Sequence, residues 1–377
     1  MPIVFVHGVS VRRSAAENAE RVRRNGYLLA YLPDACGSVP VANPPWGKYG
    51  VDFRWGLESM PKDGEVFGAE GEGVTHGREI LETVAPGVVV SGKDVLLQIA
   101  RHSLANAIDA LWWATALDHK TAETNALALA SRHALAFARE RPADAQKLVA
   151  RMRSDDDLVN SLLEVAKEAQ SSGPDDETFG SPKVYDPLAR ANKLLRGAVA
   201  VPAAKAFRRT QARKISLFVG DLLVYVDTRG QVGQPGKIVR MVSDAFRAAK
   251  EPLVVIGHSM GGNIAYDVLT YFAPDVHCSA LVTVGSQVAL FEEMTMFRAS
   301  DRSVRGPAGR VARPANVDRW INVYDPVDVL AYKTEPVFTG TDDVPFRESA
   351  SVLGSHGDYF ARPTFYELLA ERLARTS

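Results

Sequence analysis

The order of apolar and polar positions divides the chain into three stretches. Residues 3–6 read Ile-Val-Phe-Val and stop at His7-Gly8, an unbroken apolar, β-branched run of the kind that forms a strand buried on both faces. Residues 14–29 predict a helix with Arg and Glu on one side. Residues 33–75 hold Pro44-Pro45-Trp46-Gly47 and Phe53-Arg54-Trp55-Gly56, the composition of loops with aromatic anchors. The texture then changes. Residues 93–170 are rich in Ala and Leu, and the spacing of Leu104, Ile108 and Leu111, then of Leu127, Leu129 and Leu135, predicts several helices. Asp155-Asp156-Asp157 suits a helix N-terminus, where the dipole favours negative charge. Residues 171–187 read as a polar loop.

From about residue 215 short apolar runs alternate with amphipathic stretches. Strands are predicted over 222–226, 253–256, 281–284 and 320–324. Helices are predicted over 236–250, with Ile238, Val242, Ala245 and Phe246 on one face, over 262–272 and over 363–373; Asp342-Asp343 reads as a loop. Strands alternating with helices predict an α/β fold, with a mostly parallel central sheet and helices on both faces. The helical block interrupts that alternation. The expected organisation is a core from residues 1–60 and 206–377 with a large, mainly helical cap inserted over 61–205.

Composition narrows the classes of partner. The 377 residues fit one α/β domain with a large insertion as well as two or three domains of roughly 150 residues. Lys+Arg number 44 against 45 Asp+Glu, so the basic excess that nucleic-acid binding requires is missing. Arg208, Arg209, Arg213 and Lys214 read as a solvated helix face. Two cysteines, Cys36 and Cys278, are too few for a disulfide framework and have the wrong pattern for a zinc site. The first residues lack a signal peptide's basic region and cleavage site, and no run approaches the ~20 apolar residues needed to span a bilayer. A cytoplasmic chain with reduced thiols and no transmembrane segment is expected, with peripheral contact with lipid left open. No cofactor and no metal are expected, because the acidic pairs and triplets lack convergent ligand spacing.

Candidate chemistry begins where the strand over 253–256 runs into Gly257-His258-Ser259-Met260-Gly261-Gly262 and then a helix. Gly-x-Ser-x-Gly between strand and helix is the nucleophile elbow of the α/β-hydrolase fold. The turn is so sharp that only glycine on either side of the serine lets strand and helix approach. The elbow lifts the Ser259 hydroxyl above the sheet and aims the Met260 N–H at a developing oxyanion. His7-Gly8-Val9 follows the first strand, where a second oxyanion donor, the Val9 N–H, is expected, with His7 and Gly8 shaping the turn. His258 is read as packing. The base should follow the acid in the chain, and His356 is the only histidine beyond residue 300. The acid is Asp328 or Asp325, which follow the strand over 320–324; position alone barely separates them.

Asp328-Val329-Leu330-Ala331-Tyr332-Lys333-Thr334-Glu335-Pro336 resembles the Asp-Pro-Val-Ala-Tyr-Arg-x-Glu-Pro segment of the DDHD-domain family, intracellular phospholipases A1 that include phosphatidic-acid-preferring enzymes. Asp221-Leu222-Leu223-Val224-Tyr225, the elbow, and Ser355-His356-Gly357-Asp358-Tyr359-Phe360 are also similar and fall in the family's order. The resemblance covers roughly residues 215–375. It implies Asp328 as the acid and hydrolysis of a lipid ester. Val329 stands where the family has proline, and Ser-Met-Gly-Gly in the elbow is closer to general lipases.

The expected function is therefore carboxylic-ester hydrolysis on a small-molecule or lipid ester, of the lipase or phospholipase type, through a Ser-His-Asp triad. The alternatives are a thioesterase or amidase with the same triad, and a catalytically weak scaffold that binds a protein partner through the helical insert. Leu111-Trp112-Trp113-Ala114 within the insert reads first as core packing and second as a lipid- or substrate-facing surface; Trp46 and Trp55 admit the same two readings.

Overall fold

The computed structural model describes residues 2–9, 11–12, 14–32, 41–57, 77, 80–85, 88, 90, 92–116, 124–170, 182–198, 207–249, 252–304, 306, 309–346 and 359–375. The chain falls into two compact units. One holds Met1–Glu17, Asp34–Phe67 and Lys205–Arg347; the other holds Asn18–Pro33, Gly68–Ala204 and Glu348–Ser377.

The second unit is helical. It takes in most of α1 (Ala15–Tyr31). It then has α2 (Val95–His102), α3 (Leu104–Ala116), α4 (Thr124–Glu140), α5 (Pro142–Arg151), α6 (Asp155–Gln170), α7 (Pro182–Ala198) and a C-terminal helix, Pro363–Ala374. Leu111, Trp112, Trp113 and Ala114 are all buried in α3, and the Trp112 Nε1–H donates to Leu127 O at 2.8 Å, so this apolar spot is core. Asp155 opens α6 as its charge predicts. Its buried carboxylate accepts the Leu97 N–H in the first turn of α2 (2.8 Å) and faces Arg196 of α7 (3.3 Å). Burial raises the Asp155 carboxyl above the usual carboxylate range, with the Leu97 and Leu96 amides and Arg196 opposing that shift.

The division differs from the expected one at residues 61–67, which group with the sheet, and at two longer segments. Residues 18–33 and 348–377 group with the helical unit instead of the sheet. The described contacts supply the reason. Arg362 Nε donates to Asp109 of α3 at 2.6 Å, and the Thr364 N–H donates to the same carboxylate at 3.2 Å, so Asp109 caps the C-terminal helix from a distant part of the chain. The Arg362 guanidinium also stacks over Trp113, and the ring of Tyr366 stacks on Tyr27 of α1 at 4.9 Å. Asp109 and Arg362 are both buried. Removing one charge of such a pair leaves the other uncompensated, so Asp109→Asn is expected to destabilise this unit by about 3 kcal/mol. In thermal unfolding followed by circular dichroism that is a fall of roughly 6–12 °C.

The first unit holds the sheet. Its strands are β1 (Ile3–Val6), β2 (Leu253–His258), β3 (Cys278–Val284), β4 (Trp320–Tyr324) and β5 (Thr341–Pro345). Among the described residues they lie in the order β1-β2-β3-β4-β5, all parallel, with Val6 level with Gly257, Gly257 with Thr283, Thr283 with Asn322, and Asn322 with Asp343. All carboxyl ends therefore point one way. Helices α8 (Phe207–Thr228), α9 (Lys237–Ala248), α10 (Met260–Asp267) and α11 (Val288–Glu293) belong to the same unit. Tyr225, Ile238, Val242, Phe246, Ile264 and Phe291 from these helices cluster with the strand row Val4, Val255, Leu281 and Trp320. The opposite row, Phe5, Ile256, Val282 and Ile321, is equally buried, which is why these strands read as mainly apolar runs.

Three predicted elements change. Residues 222–226, read as a strand, form the end of α8: Asp221 and Tyr225 are buried and Leu223 is exposed, the four-residue period of a helix. Asp342-Asp343, read as a loop, lies in β5. Residues 182–187, assigned to a polar loop, start α7, while 171–181 lie outside the described residues. Cys278 is buried in β3, and desolvation pushes its thiol up to about 12; Cys36 lies outside the described residues. Among the described residues no helix is long and apolar enough to cross a membrane.

Candidate active site

Strand β2 ends in a turn that forces Ser259 to φ 52°, ψ −128°. A side chain at positive φ in this region costs on the order of 1–3 kcal/mol and persists only where the surroundings impose it. Here they do. The Ser259 N–H donates to Val284 O of β3 at 2.9 Å, and Ser259 O accepts the Gly262 N–H at 2.9 Å. The flanking glycines leave no room for relaxation. A methyl at Gly257 would stand 2.5 Å from Gly262 Cα, one at Gly261 would stand 2.1 Å from Val6 O, and one at Gly262 would stand 2.2 Å from Ser286 Oγ. Strand β1, strand β2 and helix α10 thus meet backbone to backbone around the serine. Met260, the first residue of α10, is buried and has no intrahelical acceptor for its amide.

The β1 end comes to the same place. A methyl at Gly8 would lie 3.0 Å from Ser259 Cβ and 3.3 Å from His258 O, so the His7-Gly8-Val9 turn lies directly against the elbow. Trp46 fixes that turn: its Nε1–H donates to His7 O at 2.8 Å, and its ring stacks on the His7 imidazole at 4.9 Å and 10°. His7 Nδ1 lies 2.7 Å from Gly8 O, which requires the proton on Nδ1. Trp46 is accordingly a buried anchor, whereas Trp55 is 77 % exposed. Val9 is half-buried against the core cluster, and His258 is half-buried inside the elbow.

Two strands away, β4 runs into the loop that carries both acid candidates. The Asp325 carboxylate accepts the Val327 N–H at 2.9 Å and the Asp328 carboxylate accepts the Leu330 N–H at 2.9 Å, the same local turn twice. The Asp328 N–H donates to Asp325 O at 3.0 Å, and both side chains are buried. Hydrogen bonding within the loop therefore does not choose between them. With strands roughly 4.8 Å apart, the β2 and β4 ends lie about 10 Å from one another on one edge of the sheet. His356, the expected base, lies outside the described residues, as do Gly357 and Asp358.

Sequence reasoning missed the polar side chains that brace this edge. Thr283, Asn322 and Asp343 share one register level across β3, β4 and β5. Thr283 Oγ1 donates to Asn322 Oδ1 at 2.8 Å, and Asn322 Nδ2 donates to Asp343 Oδ1 at 2.8 Å and to Tyr332 O at 2.9 Å. Asp343 also accepts the Thr334 N–H and hydroxyl, both at 2.9 Å. The acid loop is thus tied down at Tyr332 and Thr334. The available signal was a polar residue inside an otherwise apolar strand, Asn322 above all, because such groups stay buried only when hydrogen-bonded. Among the described residues no three His, Cys, Asp or Glu side chains converge as a metal site requires.

No family model, no curated protein and no solved structure matches this chain.

Proposed function

We propose that the chain is a serine hydrolase of the α/β-hydrolase type that cleaves a carboxylic ester, lipid-like in its acyl part, through an acyl-enzyme on Ser259. The observation that carries this reading is the strained backbone of Ser259, held at the carboxyl end of a parallel strand by glycines that each touch backbone or the next turn. A strand–helix turn without chemistry has no need of a serine at φ 52° where glycine is free of strain. Support for an apolar substrate comes from Val329, 62 % exposed on the loop beside the carboxyl ends, and from the resemblance of residues 328–336 to the phospholipase segment.

The chemistry follows from the roles. Ser259 Oγ attacks the acyl carbon while His356 takes its proton. Asp328 orients the imidazole and stabilises its charged form. The oxygen that gains charge receives the Met260 and Val9 N–H groups. Collapse breaks the ester C–O bond, and His356 returns the proton to the leaving alkoxide. Water deprotonated by His356 then attacks the acyl-enzyme, releasing the acid and restoring Ser259.

The test is hydrolysis of short- and long-chain p-nitrophenyl esters and of a phospholipid panel by wild type, Asp328→Asn and Asp325→Asn. Wild type is expected to turn over at least one ester. Asp328→Asn is expected to lose roughly 10⁴-fold in kcat, the scale seen when an orienting carboxylate is made neutral. Asp325→Asn keeps an oxygen to accept the Val327 N–H and is expected to stay within about tenfold. The reverse pattern would move the acid to Asp325, and no turnover of any ester or phospholipid would overturn the reading.

A further inference from the structure

Gln287 occupies the turn between β3 and α11, and both hydrogens of its amide are used. Its Oε1 accepts Asn263 Nδ2 from α10 at 3.0 Å, and its Nε2 donates to Leu330 O at 2.6 Å and to Gly285 O at 3.0 Å. Leu330 in turn donates its N–H to Asp328 Oδ1 at 2.9 Å. Asn263 stands four residues after Ser259, one turn along the elbow helix, and also reaches Met260 Sδ at 3.5 Å. A continuous path therefore runs from the nucleophile's helix, through two buried amides, to both sides of Leu330 and so to the Asp328 carboxylate. Asn263 and Gln287 have essentially no exposed surface.

The geometry points to Gln287, held by Asn263, as the positioning residue that fixes the Asp328 loop at its distance from the Ser259 elbow; this rests on the reading of the site as a Ser-His-Asp hydrolase. The residue type is specific to the task. Only an amide both accepts from Asn263 and donates twice, and any apolar replacement takes the Nε2 donor from Leu330 O and Gly285 O and leaves Asn263 Nδ2 with only the Met260 Sδ contact. Glutamate has the right length but no hydrogen to give Leu330 O, so it places oxygen against oxygen at the 2.6 Å contact. The Ser286 O···H–N Tyr332 bond (3.1 Å) closes the same gap beside it and keeps the loop attached when Gln287 is changed.

Under the proposed triad, a loop freed at Leu330 no longer holds Asp328 where it would favour the charged form of the His356 base. The acid limb of the activity profile is set by that base, so it moves to lower pH while the plateau drops.

The experiment measures kcat, KM and the pH dependence of kcat/KM on the best ester for Gln287→Ala, Gln287→Glu and Asn263→Asp. Each is made alone and with Asp328→Asn, with unfolding temperature and fluorophosphonate labelling of Ser259 followed alongside. Gln287→Glu is expected to lose 10- to 100-fold in kcat with KM within about threefold and an acid limb displaced downward, and Gln287→Ala to behave alike. Asn263→Asp, which turns an oxygen toward Gln287 Oε1, provides the same readout should Gln287→Ala fail to fold. In the Asp328→Asn background each substitution is expected to add less than threefold, because its effect runs through that carboxylate. Folded variants with unchanged kcat and pH profile, or effects that multiply fully with Asp328→Asn, would overturn the assignment while leaving labelled Ser259 intact. Wild type that neither labels nor hydrolyses would instead remove the hydrolase reading on which it rests.

Discussion

Ser259→Ala is expected to lower kcat/KM on the best ester by at least about 10⁴-fold, to the residual rate that oxyanion donors and binding alone provide. The size follows from the chemistry. Without Oγ there is no acyl-enzyme, and the remaining donors stabilise only a direct attack by water. Removal of a single oxygen leaves the Ser259 N–H to Val284 O and Gly262 N–H to Ser259 O bonds in place, so stability is expected to remain within about 1 kcal/mol of wild type. Ser259→Gly separates strain from chemistry. It is equally inactive, and it relieves the φ 52° side chain, so its unfolding temperature is expected to rise above that of Ser259→Ala. A Ser259→Gly chain more stable than Ser259→Ala would show that the backbone at this position is strained for any residue with a side chain.

Gly261→Ala is expected to be severely damaging to the sheet unit. The added Cβ would stand 2.1 Å from Val6 O and 2.5 Å from His7 O, both main-chain atoms of the β1 edge, with no flexible side chain to move aside. Helix α10 has to separate from β1, which opens the buried cluster around Val6, Met260 and Ile264. The expected cost exceeds about 4 kcal/mol, a fall of roughly 8–16 °C or more in thermal unfolding. Gly197→Ala in α7 is the internal control. Nothing lies within 4 Å of its added methyl, so the better helix propensity of alanine is expected to hold or slightly raise stability. Equal losses at both positions would show that close approach at the elbow is not what holds α10 against β1.

What could be read in the sequence was set by how far each signal depends on distant partners. The runs at 3–6 and 253–256 are apolar on both faces, that at 320–324 is apolar but for Asn322, and the elbow glycines are needed for contacts their own neighbours make, so these elements were legible. The run at 222–226 was not. Five consecutive apolar residues fit a strand or a helix, and the choice came from Asp221, whose carboxylate pairs with Arg12 at 2.6 Å and accepts the Val51 N–H at 2.7 Å. Strand β5 reads Thr-Asp-Asp-Val-Pro and carries no apolar alternation. It exists because Asp343 is consumed by Asn322 and Thr334. The grouping of the C-terminal helix with the helical unit depends on Asp109 and Arg362, far apart in the chain and without a local pattern to pair them. Asn263 and Gln287 are of the same kind: each is an unremarkable amide until the fold brings their side chains within 3.0 Å.

The most direct measurement is reaction of the full chain with a fluorophosphonate, read by intact mass and by peptide mapping in wild type and Ser259→Ala. A nucleophile activated by a neighbouring base is expected to take one covalent adduct per chain, on the peptide holding Gly257-His258-Ser259-Met260-Gly261, and Ser259→Ala to take none. An unmodified wild-type chain, or an adduct on another serine with ester hydrolysis persisting in Ser259→Ala, would contradict the assignment of Ser259 as the nucleophile.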